Sequence, residues 1–236
     1  MTIRAITFDF WGTLFRDANG QERHRLRLNA LIEATGVPET DADKALRDTM
    51  SYFLQQHIAT QHTLTPHDAV DLVCSALDVS ITQKQAKSLA SAFADAILPH
   101  PPVPITDALE AVQQTAERVP IAIISDTGFS PGANLRVLME REGFTPYFTA
   151  TTFSDEMGVA KPQLPMFEET ARQLGVAAHE LLHIGDLEPT DIVGAHQAGG
   201  RASLFIAVNN HYAETTRADY TLSDWRSFIE LLPELI

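Results

Sequence analysis

Four short stretches of the chain carry residue types that can do chemistry together. They are Asp9-Phe10-Trp11-Gly12-Thr13, Ser125-Asp126-Thr127-Gly128, Lys161-Pro162, and Gly185-Asp186 with Asp191 five residues on. A carboxylate can act as a covalent nucleophile that splits one hard displacement into two easier ones. Facing an anionic phosphoryl group it needs positive charge beside it, and one or two carboxylates with waters are the oxygen set that Mg²⁺ takes. A hydroxyl and a lysine ammonium extend the set, since both stabilise negative charge on transferred oxygens. Taken singly, each has an ordinary explanation. An Asp after a strand is a turn or N-cap residue, Gly12 and Gly128 are turn glycines, and Lys161 is ordinary surface. Their order, each at or beside the end of an apolar run, points to one site.

The runs that must position them alternate in type. Ile3 to Phe10 is an apolar, β-branched and aromatic stretch that reads as a buried strand. From about Gln21 to Leu98 the chain reads as wholly helical. Gln21 to Thr35 stops at Gly36, a second helix runs from Asp41 to about Gln61, Thr65-Pro66 opens a third to Leu77, and an alanine-rich fourth spans Thr82 to Leu98. Four prolines among residues 99–104 then read as a stiff connector or one of two hinges. Beyond it come helix Asp107 to Arg118, strand Pro120 to Ser125, helix Pro131 to Glu142 and a strand near Phe148 to Thr151. Helix Pro165 to Leu174, strand Leu181 to Gly185, helix Thr190 to Ala198, strand Ala202 to Val208 and a helix from Asp224 follow. Strands alternating with helices imply a parallel sheet covered on both faces. The expected fold class is therefore α/β: a doubly wound, mostly parallel, Rossmann-like sheet core at 1–15 and 101–236, with an inserted helical cap at 16–100. Sites in such sheets gather outside the carboxyl ends of the strands, where the four stretches fall.

Composition bounds the rest. With 236 residues, 44 % apolar and 20 % charged, the chain is globular and sized for one large domain or a core with an insert. The single cysteine, Cys74, excludes an intrachain disulfide framework. Its apolar neighbours Val70, Val73 and Leu77 make it a packed thiol. The first residues read as a strand rather than a secretory signal, and no run of 18 apolar residues occurs. A cytoplasmic protein without membrane contact is expected, as a monomer or homodimer. The net charge of −14 argues against nucleic acid as a partner. Residues 16–100 hold eight basic against eleven acidic side chains, and the rest nine against twenty. In that more balanced segment Arg23, His24, Arg25 and Arg27 form either a solvated helix face or a rim that attracts an anionic substrate. His57, His62 and His67 recur every five residues, about 140° beyond a shared helical face, and Pro66 interrupts them. They do not read as a zinc site.

The four stretches resemble the motifs of the haloacid dehalogenase superfamily of hydrolases. Asp9-Phe10-Trp11-Gly12-Thr13-Leu14 resembles the first motif, Ser125 the second, Lys161 the third, and Gly185-Asp186 with Asp191 the fourth. The helical insert matches the family's cap between motifs one and two. The resemblance implies Asp9 as covalent nucleophile, with Thr13 orienting it. It implies Mg²⁺ held by Asp9, Asp186 and the Trp11 backbone carbonyl, with Asp191 behind these ligands or as an occasional one. Ser125, Asp126 and Lys161 would then surround the phosphate of a small anionic substrate.

Trp11 departs from the pattern. Phosphatases of the superfamily carry a second Asp there, which protonates the leaving alkoxide and then activates water, help worth roughly 10²–10⁴-fold. Dehalogenases carry an aromatic residue at that position, since halide leaves without a proton. Asp186 after Gly185, by contrast, looks like the metal-binding form of the fourth motif. The leading expectation is a Mg²⁺-dependent phosphatase working through an aspartyl-phosphate on Asp9, using either leaving groups of low pKa or a substitute acid, for which Asp126 is a candidate that also reads as a structural N-cap or phosphate-loop residue. A phosphonatase-like enzyme would need a cap lysine, for which Lys44, Lys84 and Lys87 are available. A metal-independent 2-haloacid dehalogenase and a catalytically weak binding protein are also compatible with Trp11.

Overall fold

The N-terminal apolar run forms strand β1 (Ala5–Phe8), every residue of which is buried. The structure, a computed structural model, describes residues 2–236, without the side chains of Leu54, His57 and Ile58. A main-chain ladder on each side of β1 explains its lack of polar alternation, since both faces and both edges are covered. It pairs in parallel with β4 (Ile121–Ser125), aligning Phe8 with Ile123. On its other edge it pairs in parallel with β6 (Leu181–Gly185), aligning Phe8 with Ile184. Strand β5 (Ala150–Phe153) extends the sheet beyond β4, and β7 (Arg201–Phe205) and β8 (Tyr220–Leu222) extend it beyond β6. The order β5-β4-β1-β6-β7-β8 makes β1 the point where the winding reverses. The crevice at such a point is where open parallel sheets bind ligands. Strand β8 is a sixth strand that the sequence pattern did not announce.

Four helices follow β1, as the sequence led us to expect: α1 (Gly20–Thr35), α2 (Glu39–Thr60), α3 (Pro66–Ala76) and α4 (Gln83–Asp95). Gly36 ends α1 in a left-handed conformation at φ 72°. Capping boxes from Thr65 with Asp68 and Thr82 with Gln85 open α3 and α4. Leu28, Leu31, Leu46, Phe53, Val73 and Phe93 fill an apolar cluster of their own between these helices. A second cluster joins Ile6, Phe8, Phe10 and Phe15 to Trp225 and Phe228.

The connector of prolines is partly a strand. Val103–Pro104 (β3) pairs antiparallel with Phe15–Arg16 (β2), so the chain's entry to the helical unit is clamped to its exit. Pro104 lacks an N–H, which a two-stranded edge ribbon tolerates. The remaining helices are α5 (Ala108–Ala116), α6 (Gly132–Arg141), the short α7 (Ser154–Met157), α8 (Leu164–Leu174), α9 (Val193–Gln197) and α10 (Trp225–Leu235). A π-helical turn, Glu188–Ile192, precedes α9, so the expected helix from Thr190 begins wider and earlier. No helix among the described residues is long and apolar enough to cross a membrane.

Candidate active site

Asp9 is the first residue past β1, and its N–H donates to the Ile184 carbonyl at 2.8 Å. That bond keeps Asp9 in line with β6 after β1 has ended. The loop then turns on itself. Gly12 donates to the Phe15 carbonyl at 2.7 Å, and Phe10 and Phe15 stack at 4.3 Å. Gly12 adopts φ 71°, and a Cβ there would collide with the Asp186 carboxylate. Glycine is therefore required twice, for its backbone angle and for the approach of Asp186. Thr13 is fully buried, and its carbonyl accepts the Trp225 indole N–H at 3.1 Å. Its hydroxyl makes no hydrogen bond among the described residues.

Lys161 is the electrostatic centre of the site. Its ammonium donates to Asp9 Oδ1 at 2.7 Å, Asp191 Oδ1 at 2.5 Å and the Ile124 carbonyl at 3.2 Å. These three acceptors use all three of its donors, and its own N–H donates to Asp126 Oδ1 at 2.9 Å. Burial alone would lower the Lys161 pKa, but Asp191 and Asp9 outweigh it and hold the ammonium above the ordinary lysine range.

Behind Lys161, Asp191 leads to His183 and Thr7, two side chains that no sequence motif marked. Asp191 Oδ1 also faces His183 Nε2 at 3.0 Å, and His183 Nδ1 meets the Thr7 hydroxyl at 2.9 Å. Burial lowers the His183 pKa despite Asp191 and so favours the neutral ring. It then donates from Nε2 to the carboxylate and accepts from Thr7. Asp191 Oδ2 accepts the Leu187 N–H at 2.9 Å. Both Asp191 oxygens are thus occupied by protein donors. In this arrangement Asp191 holds Lys161, the supporting place behind the site that it was also expected to take. Gly185 permits this, because a Cβ there would overlap the Asp191 carboxyl group.

One experiment reads this network directly. Lys161→Met leaves Asp9 and Asp191 buried together without a counter-charge, a loss of about 3–5 kcal/mol. The urea midpoint at neutral pH is expected to fall accordingly, and an unchanged midpoint would contradict the arrangement.

Asp186 is differently placed. Among the described residues the hydrogen bond it accepts comes from Asn209 Nδ2, at a marginal 3.5 Å. Burial, then repulsion from Asp191 and Asp9, pushes its pKa up to about 8. Burial, then Asp191, also raises Asp9, against the pull of Lys161, to about 6. Asp9 Oδ2 has no protein donor among the described residues. Two crowded carboxylates with vacant oxygens form a hard donor set that a divalent cation would satisfy. Among the described residues no three His, Cys, Asp or Glu side chains converge as a metal cluster, so the fit is to an oxygen-bound ion that keeps waters.

These groups open into one cavity of about 500 Å³. Asp9, Trp11, Asp126, Lys161, Asp186 and Asp191 line it from the sheet side. Ser125, expected at the phosphate, is fully buried outside that lining, and its hydroxyl is 3.4 Å from the Asp126 carbonyl. Trp11 is half-buried and meets Phe10 edge-on at 5.1 Å. From the helical unit come Arg23, Arg27, Phe53 and His62. The solvated-face reading holds for exposed Arg25 but fails for Arg23 and Arg27, which are buried. Among the candidate zinc ligands, His57 lies outside the described side chains, and His62 and His67 are exposed.

A family model for haloacid dehalogenase-like hydrolases matches residues 3–199. A glyceraldehyde 3-phosphate phosphatase of Methanopyrus kandleri is 26 % identical over 212 residues, 84 % of this chain and 81 % of that protein. Two solved structures share the fold. A 2-haloacid dehalogenase from Pseudomonas syringae pv. Tomato superposes with a TM-score of 0.73 at 21 % identity, over 100 % of both chains. A magnesium-bound hydrolase from Bacillus subtilis superposes with a TM-score of 0.70 at 16 % identity, over 98 % of this chain and 99 % of that one.

Proposed function

The chain belongs to the haloacid dehalogenase-like hydrolase family, and from that premise we propose that it is a Mg²⁺-dependent phosphatase acting on a small phosphorylated metabolite. The observation that carries this reading is the pair Asp9 and Asp186, a buried and a half-buried carboxylate with vacant oxygens in one cavity, beside a lysine already committed to Asp9. The glyceraldehyde 3-phosphate phosphatase relative supports phosphate as the group removed.

Asp9 Oδ2 attacks phosphorus, and the ester P–O bond breaks as the aspartyl-phosphate forms. Lys161 fixes Asp9 Oδ1, which selects the other oxygen as nucleophile and neutralises charge as it spreads. Asp191 and His183 keep the Lys161 ammonium in place. Water then attacks the phosphorus of the intermediate, releasing phosphate and restoring Asp9. Asp9, Asp186 and the Trp11 carbonyl would hold Mg²⁺, which when bound supplies the positive charge that brings a dianion to a carboxylate.

An aryl phosphate assayed with Mg²⁺ and with EDTA tests the proposal. At least a tenfold loss on chelation is expected for a site built on a bound cation. Trp11 favours a second reading, metal-independent dehalogenation through an ester on Asp9. Chloride release from 2-chloropropionate that survives EDTA, with no phosphate release, would establish that reading instead.

A further inference from the structure

Two arginines on α1 have no place in a simple packing account of the helical unit. Arg23 and Arg27 are 5 % and 4 % exposed, yet both line the cavity that holds Asp9 and Lys161. Four residues apart, they share one face of the helix. Arg23 is engaged at both terminal nitrogens: Nη1 donates to the His100 carbonyl at 2.9 Å, and Nη2 pairs with Asp17. Arg27 is not. Its Nε donates to the Phe93 carbonyl at 2.9 Å, and its guanidinium carbon lies 4.8 Å from the centre of the Phe129 ring. Nη1 and Nη2 have no protein acceptor among the described residues and are not sealed from solvent.

That is an expensive arrangement without a ligand. A buried charge wants a counter-charge, and Asp17, the carboxylate whose charge reaches Arg27, is already bound to Arg23. Burial and the neighbouring Arg23 lower the Arg27 pKa to about 10, the direction expected of a cation with too little negative charge around it. Packing alone would be met by an apolar side chain. With Nε fixed on the Phe93 carbonyl and the guanidinium carbon over the Phe129 ring, the two free nitrogens form a preset fork of the kind that takes carboxylate or phosphate in two parallel bonds. Phe53, Phe129, Met50 and Leu64 supply apolar wall to the same cavity. A short carbon chain suits that lining.

We propose that Arg27, backed by Arg23, receives a second anionic group of the substrate, a carboxylate or a second phosphate, at the end remote from the phosphoryl group over Asp9. The inference rests on the phosphatase reading for what lies over Asp9, and it narrows the substrate class to small dianionic-plus-anionic molecules. Lys161 and Asp186 belong to the sheet side of the cavity and Arg27 to the helical side, so the two charged ends of one molecule would bridge them.

Binding, which needs no turnover, separates the two claims. Asp9→Asn protein in Mg²⁺ is titrated by calorimetry with 3-phosphoglycerate, glycerol 3-phosphate and propane-1,3-diol bisphosphate. The first two differ only in a carboxylate against a hydroxymethyl group. The acid or the bisphosphate is expected to bind at least about tenfold tighter than the alcohol, the worth of a charge-assisted pair. Whichever is tighter names the group. The preference should collapse to within about twofold in Asp9→Asn/Arg27→Gln and shrink in Asp9→Asn/Arg27→Lys, which keeps the charge but loses the fork. The lysine variant also guards against a glutamine variant that fails to fold. Equal affinities for all three, or a preference that survives both substitutions, would overturn the proposal. Tight, Arg27-dependent binding without phosphate release by wild-type protein would instead leave the subsite standing and remove the phosphatase reading.

Discussion

Asp9→Asn is expected to abolish phosphate release, by at least about a thousandfold, because no other group can take the nucleophile's role. The amide nitrogen is a poor nucleophile. The amide oxygen keeps the bond to Lys161 but loses the charge that would hold a cation with Asp186. The same change should leave the protein at least as stable near neutral pH in EDTA. Asp9 titrates near 6 in the fold against an ordinary 3.8, chiefly because it is buried. A carboxyl group raised in this way binds its proton more tightly folded than unfolded. Stability is therefore lost as pH rises from about 3.8 through about 6, and it stays lost above. Asparagine never ionises and escapes that loss. An inactive variant with an unchanged or higher melting temperature is the expected result, the usual trade of stability for a reactive site. Retained Mg²⁺-dependent activity would remove Asp9 from the chemistry.

The parts of this molecule that could be read from sequence are those whose environment is uniform along the chain. Strands β1, β4 and β6 are covered on both faces, so their residues are almost all apolar, and each ends where a functional group begins. The helical insert announced itself through Gly36, Thr65 and Pro66, residues that end or open helices for local backbone reasons. What escaped was set by contacts between distant segments. Strand β8 is three residues long with Thr221 exposed, too short to show a period. The β2–β3 ribbon pairs residues almost ninety positions apart through a proline that argues against a strand. His183 sits inside an otherwise apolar strand, where the only signal was its presence at a position that burial should forbid to an unpaired polar group. Arg23 and Arg27 carried a clearer signal: their four-residue spacing puts them on one face, and Leu31 repeats it after Arg27. The placement of the Ser125 and Asp191 side chains was not legible, because motif spacing puts a residue at a strand end without fixing where its side chain points.

Trp11 leads to the largest gain expected from a single substitution. It lines the cavity two residues beyond Asp9, with its ring edge-on to Phe10 and no proton to give where a leaving oxygen would depart. An aryl leaving group departs as a stable phenolate and needs little help. An alkoxide needs a proton in the transition state. Wild-type protein should therefore hydrolyse an aryl phosphate far faster than an alkyl phosphate. Asp126 lines the same cavity, but its Oδ1 already accepts the Lys161 N–H, which ties it to the loop rather than to the leaving group. Trp11→Asp places a carboxylic acid where Trp11 now meets the cavity, and it should raise alkyl phosphate turnover by about 10²–10⁴-fold. Aryl turnover should change little, so the alkyl-to-aryl ratio is the quantity to measure. That ratio is insensitive to any fraction of protein lost to unfolding, which matters because the substitution removes the Phe10 contact. A ratio that stays at the wild-type value after substitution would mean that another group already protonates the leaving oxygen. Comparable alkyl and aryl rates in the wild type would say the same before any variant is made.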